Sequence, residues 1–119
     1  MIKPENYTVE QKAEDSATIS FTLSDSLFYL KGHFPAQPLL PGVVQLGWAC
    51  ELAEDLLKAP GAFKGVRALK FIAPMLPHDD ITLKLDLDRS KKSLKFTYSI
   101  RVAEALKLSS QGTVMLEDK

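Results

Sequence analysis

The sequence predicts an α+β fold, an antiparallel sheet wrapped around one long central helix, in a single domain covering residues 1–119. Three observations carry this. One stretch, Gly42 to about Leu57, has helical character and is apolar almost all round in its first half. Two stretches after it, Ile81–Asp88 and Leu94–Val102, place apolar residues at every second position, and a third, Leu106–Leu116, does so at both ends with Leu106, Leu108, Val114 and Leu116. A shorter stretch before the helix, Ala17–Leu23, alternates throughout. A strand with one polar and one apolar face belongs to a sheet covered on one side, and the enclosed helix is the natural cover.

In chain order, Tyr7 and Val9 alternate with Thr8 and Glu10 within Met1–Gln11, which permits a short edge strand. Ile19, Phe21 and Leu23 then face one way and Thr18, Ser20 and Thr22 the other. Ser24-Asp25-Ser26 breaks the pattern, and Leu27-Phe28-Tyr29-Leu30 forms an apolar plug that packs down the loop behind it.

The helix begins at Pro41-Gly42, where a proline in the first turn forfeits no hydrogen bond. Within Val43–Cys50 only Gln45 is strongly polar, so this half should be enclosed. Glu51, Glu54, Asp55 and Lys58 then interrupt Leu52, Ala53, Leu56 and Leu57 at one-sided spacing, and Lys58-Ala59-Pro60-Gly61 ends the helix.

Phe63–Phe71, with Val66, Ala68, Leu69 and Phe71, reads as a mostly buried strand, and Pro74 with Pro77 bends the chain after it. Ile81, Leu83, Leu85 and Leu87 face the core. Arg89-Ser90-Lys91-Lys92 is a polar turn, and Leu94, Phe96, Tyr98, Ile100 and Val102 repeat the alternation. After a turn near Ala103-Glu104-Ala105, Leu106, Leu108, Val114 and Leu116 share the inner face of the last strand. Simple sequential pairing makes these strands a meander.

Between the first strands and the helix runs Gly32-His33-Phe34-Pro35-Ala36-Gln37-Pro38-Leu39-Leu40-Pro41-Gly42-Val43. Pro35, Pro38 and Pro41 fix φ and bias their predecessors toward extended geometry, so His33 sits on a stiff arm leading to a helix N-terminus. An imidazole titrates near neutral pH and is suited to proton transfer, although a histidine in such a setting is by itself more often a plain turn residue. The free N–H groups of Gly42 and Val43 suit an oxygen gaining negative charge, although Pro-Gly also opens ordinary helices.

Gly32-His33-Phe34-Pro35, then Pro38 and Pro41-Gly42-Val43, resembles the signature of the hotdog-fold dehydratases acting on 3-hydroxyacyl thioesters of acyl carrier protein. Val43-Val44-Gln45-Leu46-Gly47-Trp48 is closer to the subgroup linked to aryl polyene and related acyl pathways. Ala68-Leu69-Lys70-Phe71-Ile72-Ala73-Pro74 and Pro77-His78-Asp79 resemble the family's strand after the helix and its Pro-Gly-Asp turn, with His78 in the glycine's place.

The resemblance implies a cofactor-free hydro-lyase giving a trans-2-enoyl thioester in fatty acid or polyene-type biosynthesis. His33 would be the general base, with Phe34, Gly42, Val43 and Gly47 at the substrate. One departure matters. The family usually has Glu or Asp where this chain has Gly47. Glu51, one turn on, is the candidate replacement, because helical side chains lean toward the N-terminus over the space a glycine leaves. A half-exposed glutamate without a chemical role is the competing reading. The glycine also keeps open a hotdog thioesterase or a non-catalytic acyl-binding subunit.

Fifteen basic and fifteen acidic residues cancel, leaving no field to recruit nucleic acid or a membrane surface. Cys50 is the single cysteine, so no internal disulfide exists, and its place among apolar residues suggests an inert thiol. Without a membrane-spanning run or signal peptide, a soluble cytoplasmic protein is expected. His78 with Asp79 and Asp80 is short of a metal ligand set. Trp48 is expected in the core or a tunnel wall. Arg67, Lys70, Arg89, Lys91 and Lys92 are candidate contacts for an acidic carrier, or simply a solvated hairpin. A chain of this length is short for a deep acyl cavity, so a homodimer or a multiple of it is expected, with an acyl carrier protein or coenzyme A thioester as the small partner.

Overall fold

The structure is a computed structural model that describes residues 6–23, 42–59 and 62–117, with the side chains of Val43 and Ala62 outside the description. The Leu27–Leu30 plug lies outside the described residues. Strands β1 (Thr8–Lys12) and β2 (Ser16–Thr22) precede helix α1 (Gly42–Leu57). Strands β3 (Ala62–Phe71), β4 (Asp80–Asp88), β5 (Ser93–Val102) and β6 (Ala105–Glu117) follow it. All six strands form one sheet in the order β1-β2-β4-β5-β6-β3, and every pair is antiparallel.

The expected alternation holds through the middle of the sheet. Ala17, Ile19 and Phe21 of β2, Ile81, Leu83, Leu85 and Leu87 of β4, and Leu94, Phe96, Tyr98 and Ile100 of β5 are buried. Against them α1 lays one stripe, Gln45, Trp48, Ala49, Leu52, Ala53 and Leu57, at the spacing of a single helical face. The Trp48 indole meets the Phe21 ring edge to face, with centroids 5.6 Å apart, so Trp48 is a core residue.

Three expectations change. First, β3 is not a buried member of a meander. It pairs with β6 at the sheet edge, and Phe63 and Phe71 remain 53% and 56% exposed. Within it, Ala68 is exposed and left-handed (φ 54°) at a bulge where Ala68 and Leu69 stand opposite Gly112, so the apolar run is split between faces. Gly112 leaves room for this packing, since a Cβ there would lie 3.0 Å from the Phe96 ring and 3.1 Å from Leu69.

Second, β6 changes phase. Tyr98 pairs with Ser110 but Ser99 pairs with Leu108, leaving Ser109 as an extra residue. Ser110, Gly112, Val114 and Leu116 therefore face the helix, while Leu106 and Leu108 sit on the opposite face, Leu106 being exposed. The bulge has its own bonds. Ser109 Oγ donates to the Ala73 carbonyl at 2.6 Å, and its carbonyl accepts from the N–H groups of Ile72 and Ala73.

Third, the first half of α1 is not enclosed all round. Val44, Leu46, Gly47 and Cys50 are half-buried, because a single sheet covers a single face, and the polar exception Gln45 is among the buried residues. The helix ends at Leu57, directly before Lys58, as expected. Lys58 is left-handed (φ 55°), and Ala59 N–H returns to the Ala53 carbonyl. Arg89 supplies the positive charge missing from the helix's own last turn, donating to the Leu57 carbonyl at 2.6 Å and to Asp15 Oδ1 at 2.8 Å.

Candidate active site

The helix start is where the expected motif meets the described structure. Gly42 is the first residue of α1, as the Pro-Gly junction predicts, and Val43 follows in the first turn. The Phe71 ring comes against Gly42: a Cβ at that position would lie 2.6, 3.1 and 3.4 Å from three of its ring carbons. Any larger residue at position 42 would push the ring aside, so glycine here serves close approach.

Gly47 and Glu51 lie one turn apart on the same side of α1, off the buried stripe, and both are half-buried. The juxtaposition expected of Glu51 and the empty position 47 is therefore present in the backbone. Next to them, burial and the neighbouring Glu51 carboxylate push the Cys50 thiol above its ordinary range, which keeps it protonated and unreactive. His33 and Phe34 lie outside the described residues.

The end of β2 is tied to the turn that precedes β4. Leu23 N–H donates to the Asp79 carbonyl at 3.0 Å, and the Leu23 carbonyl accepts from His78 N–H at 2.9 Å. Asp79 Oδ2 accepts from Leu76 N–H at 2.9 Å, and Thr22 Oγ1 donates to Asp80 at 2.7 Å. His78 has φ 72°, the left-handed conformation that glycine adopts most readily. Asp79 and Asp80 thus serve the turn, and no group of three metal-ligating side chains occurs among the described residues.

Sequence reasoning missed a buried polar cluster. Gln45 is 4% exposed, its side-chain Oε1 accepts from Ser110 Oγ at 2.6 Å, and its backbone carbonyl accepts from Tyr98 Oη at 2.6 Å. No buried side-chain polar atom among the described residues lacks a partner. The available signals were Gln45 alone in an apolar turn and Ser109-Ser110 inside an alternating strand. Of the cations expected to meet a carrier, Arg89 is committed to Leu57 and Asp15, while Arg67 and Lys70 stand exposed on β3.

A family model described as ApeI-like, ApeI dehydratase, matches residues 9–112. The 3-hydroxyacyl-acyl-carrier-protein dehydratase FabZ of Natranaerobius thermophilus is 32% identical over 99 residues, 76% of this chain and 70% of that protein. With two further proteins of that name, from Acidovorax sp. and Ruminiclostridium cellulolyticum, the match spans 61% and 49% of their length. Among solved structures, the dehydratase heterocomplex ApeI:P from Xenorhabdus doucetiae superposes with a TM-score of 0.82 at 35% identity, covering 97% of this chain and 98% of that one. Thioesterase superfamily member 2 from Mus musculus, with a TM-score of 0.68 at 13% identity over 92% of this chain and 80% of that one, shares the fold alone. The antiparallel sheet around one helix is the hotdog fold, and the chain belongs to the ApeI-like dehydratase family.

Proposed function

We propose that this protein removes water from 3-hydroxyacyl thioesters presented by acyl carrier protein, giving the trans-2-enoyl thioester, and that it belongs to polyene-type acyl synthesis. The observation that carries the reading is the dehydratase family match over residues 9–112, which contains the whole Gly32–Trp48 motif. His33 takes the proton from the carbon next to the carbonyl. Gly42 and Val43 N–H groups stabilise the charge that gathers on the thioester oxygen, favoured by the positive end of the helix dipole. As the C–C double bond forms, the C3–O bond breaks, and Glu51 protonates the departing hydroxyl in place of an acid at position 47. No cofactor enters this scheme.

The working unit is a homodimer. The edge strand β3 leaves Phe63 and Phe71 half-exposed, and pairing β3 with its copy would cover them and extend the sheet. With Arg89 committed elsewhere, Arg67 and Lys70 on that strand and Lys91 and Lys92 in the β4–β5 turn are the cations proposed to meet an acidic carrier. A second reading is favoured by one observation, Gly47 itself: the chain binds acyl groups and acts with a second hotdog chain that brings the acid. The similarity to one member of a dehydratase heterocomplex supports keeping it.

Product analysis with a short 3-hydroxyacyl thioester separates the readings. Loss of water by the protein alone is expected. Release of thiol would make it a thioesterase, and no reaction would favour the binding subunit.

A further inference from the structure

We infer that Gln45 is a positioning residue for carbonyl polarisation, clamped so that the first turn of α1 keeps its N–H groups aimed at the thioester oxygen. This rests on the dehydratase reading above. Gln45 follows Gly42 by three residues, within the same turn. Two 2.6 Å hydrogen bonds reach it from two adjacent strands, one from Ser110 of β6 to its side chain and one from Tyr98 of β5 to its carbonyl. Tyr98 and Ser110 are themselves cross-strand partners, so the sheet side of the clamp is a single rung. Both are fully buried, which shields the bonds from competing water.

Packing alone does not account for this arrangement. Trp48, Ala49 and Leu52 fill the neighbouring positions of the same stripe with apolar groups, and an apolar residue at position 45 would need no partner on the sheet. The Gln45 carbonyl, moreover, takes the tyrosine bond at a place where the helix supplies its own donor, Ala49 N–H. Hydrogen bonds add direction where packing adds only contact. The same rung reaches the other wall of the helix start, because Ser110 also pairs with Phe71, whose ring lies on Gly42. Three contacts thus fix where the Gly42 and Val43 donors point.

Donors acting on charge that develops only in the transition state affect kcat and leave KM alone, and small misplacements are costly. Tyr98→Phe, which deletes one oxygen, and Gln45→Met combined with Ser110→Ala, which removes a donor and its acceptor together, test the clamp. Each is measured for kcat and KM with a 3-hydroxyacyl thioester, for the pH profile of kcat/KM, and by 15N–1H spectra of the Gly42–Leu46 amides. We expect kcat to fall by about 10- to 100-fold with KM within about twofold, the His33 limb of the pH profile unmoved and the Gly42 and Val43 resonances shifted. Folded variants with near wild-type kcat and unshifted resonances would overturn the inference. If the wild type removes no water, the dehydratase reading fails instead, and the amide resonances still decide whether the clamp holds the helix start.

Discussion

The hydroxyl of Tyr98 donates to the carbonyl of Gln45 across 2.6 Å in a place from which water is excluded. Burial, and secondarily the nearby Cys50, raise the tyrosine well above its ordinary range, because a phenolate there would lose its solvation and its role as donor. The folded state therefore holds this proton at pH values where the unfolded chain has released it, and stability falls as pH rises past the ordinary tyrosine value of about 10. Cys50, raised in the same sense, begins the decline nearer the ordinary thiol value of about 8.5. Denaturant titrations between pH 8 and 11 should show the fall in the wild type, a later onset in Cys50→Ala and a shallower slope in Tyr98→Phe.

His33→Ala is expected to abolish dehydration while leaving the protein folded, since the proline-rich sequence around the residue is not that of a core element. The loss should be at least about 100-fold in kcat. Circular dichroism and a melting curve matching the wild type, measured beside the rate, separate lost chemistry from lost structure. Wild-type activity would remove His33 from the mechanism.

Glu51→Gln keeps shape and removes the ionisable group, so it should lower kcat by about 100-fold or more if Glu51 protonates the leaving hydroxyl. Adding Gly47→Glu to that variant places a carboxylate at the usual family position and should restore turnover. Unchanged turnover in the single variant would return Glu51 to the role of a half-buried helix residue.

Ala103 turns the β5–β6 hairpin with φ 57°, between the paired residues Val102 and Ala105, and its side chain is exposed. A first turn residue with positive φ is the place for glycine in a two-residue hairpin. Ala103→Gly should stabilise the protein by up to about 1 kcal/mol, readable as a rise in the denaturant midpoint with an unchanged slope.

Light scattering at micromolar concentration should give about twice the chain mass of 13.2 kDa. Replacing Phe63 by lysine at the exposed edge should shift the population toward monomer, because a charge there opposes edge-to-edge pairing. A monomer in the wild type would count against the shared-sheet dimer.

The helix was legible from residue 42 to residue 57 because its start is marked by Pro41-Gly42 and its stripe by period. Strands β2, β4 and β5 were legible because each buries one face along most of its length, although Val102, expected to continue the inner face of β5, is 55% exposed at its end. The partner of β3 was not, since pairing with β6 is set by the whole sheet and not by local pattern. The Ser109 bulge was hidden because Leu106, Leu108, Val114 and Leu116 keep even spacing through it, so the change of face left no break in the alternation. Gln45 read as an exception to burial because its acceptors and donors are matched by residues more than fifty positions away. Left-handed Lys58, Ala68 and Ala103 were unmarked because none is glycine, whereas His78 was marked by the glycine it replaces. In the candidate site, the helix start and the Gly47–Glu51 turn were anticipated, whereas the Gln45 clamp and the Phe71 ring over Gly42 arise from tertiary contact.

The position of β3 has a consequence for the order in which the protein can be made. It leaves the ribosome before β4, β5 and β6, yet its neighbour in the sheet is β6, the last of them. The β4–β5 hairpin can close as it emerges, but β3 must wait, with its backbone N–H and C=O groups unpaired, until the final strand arrives to receive it. Translation past β5 is thus the interval in which this chain is most open to capture by a chaperone or by another nascent copy.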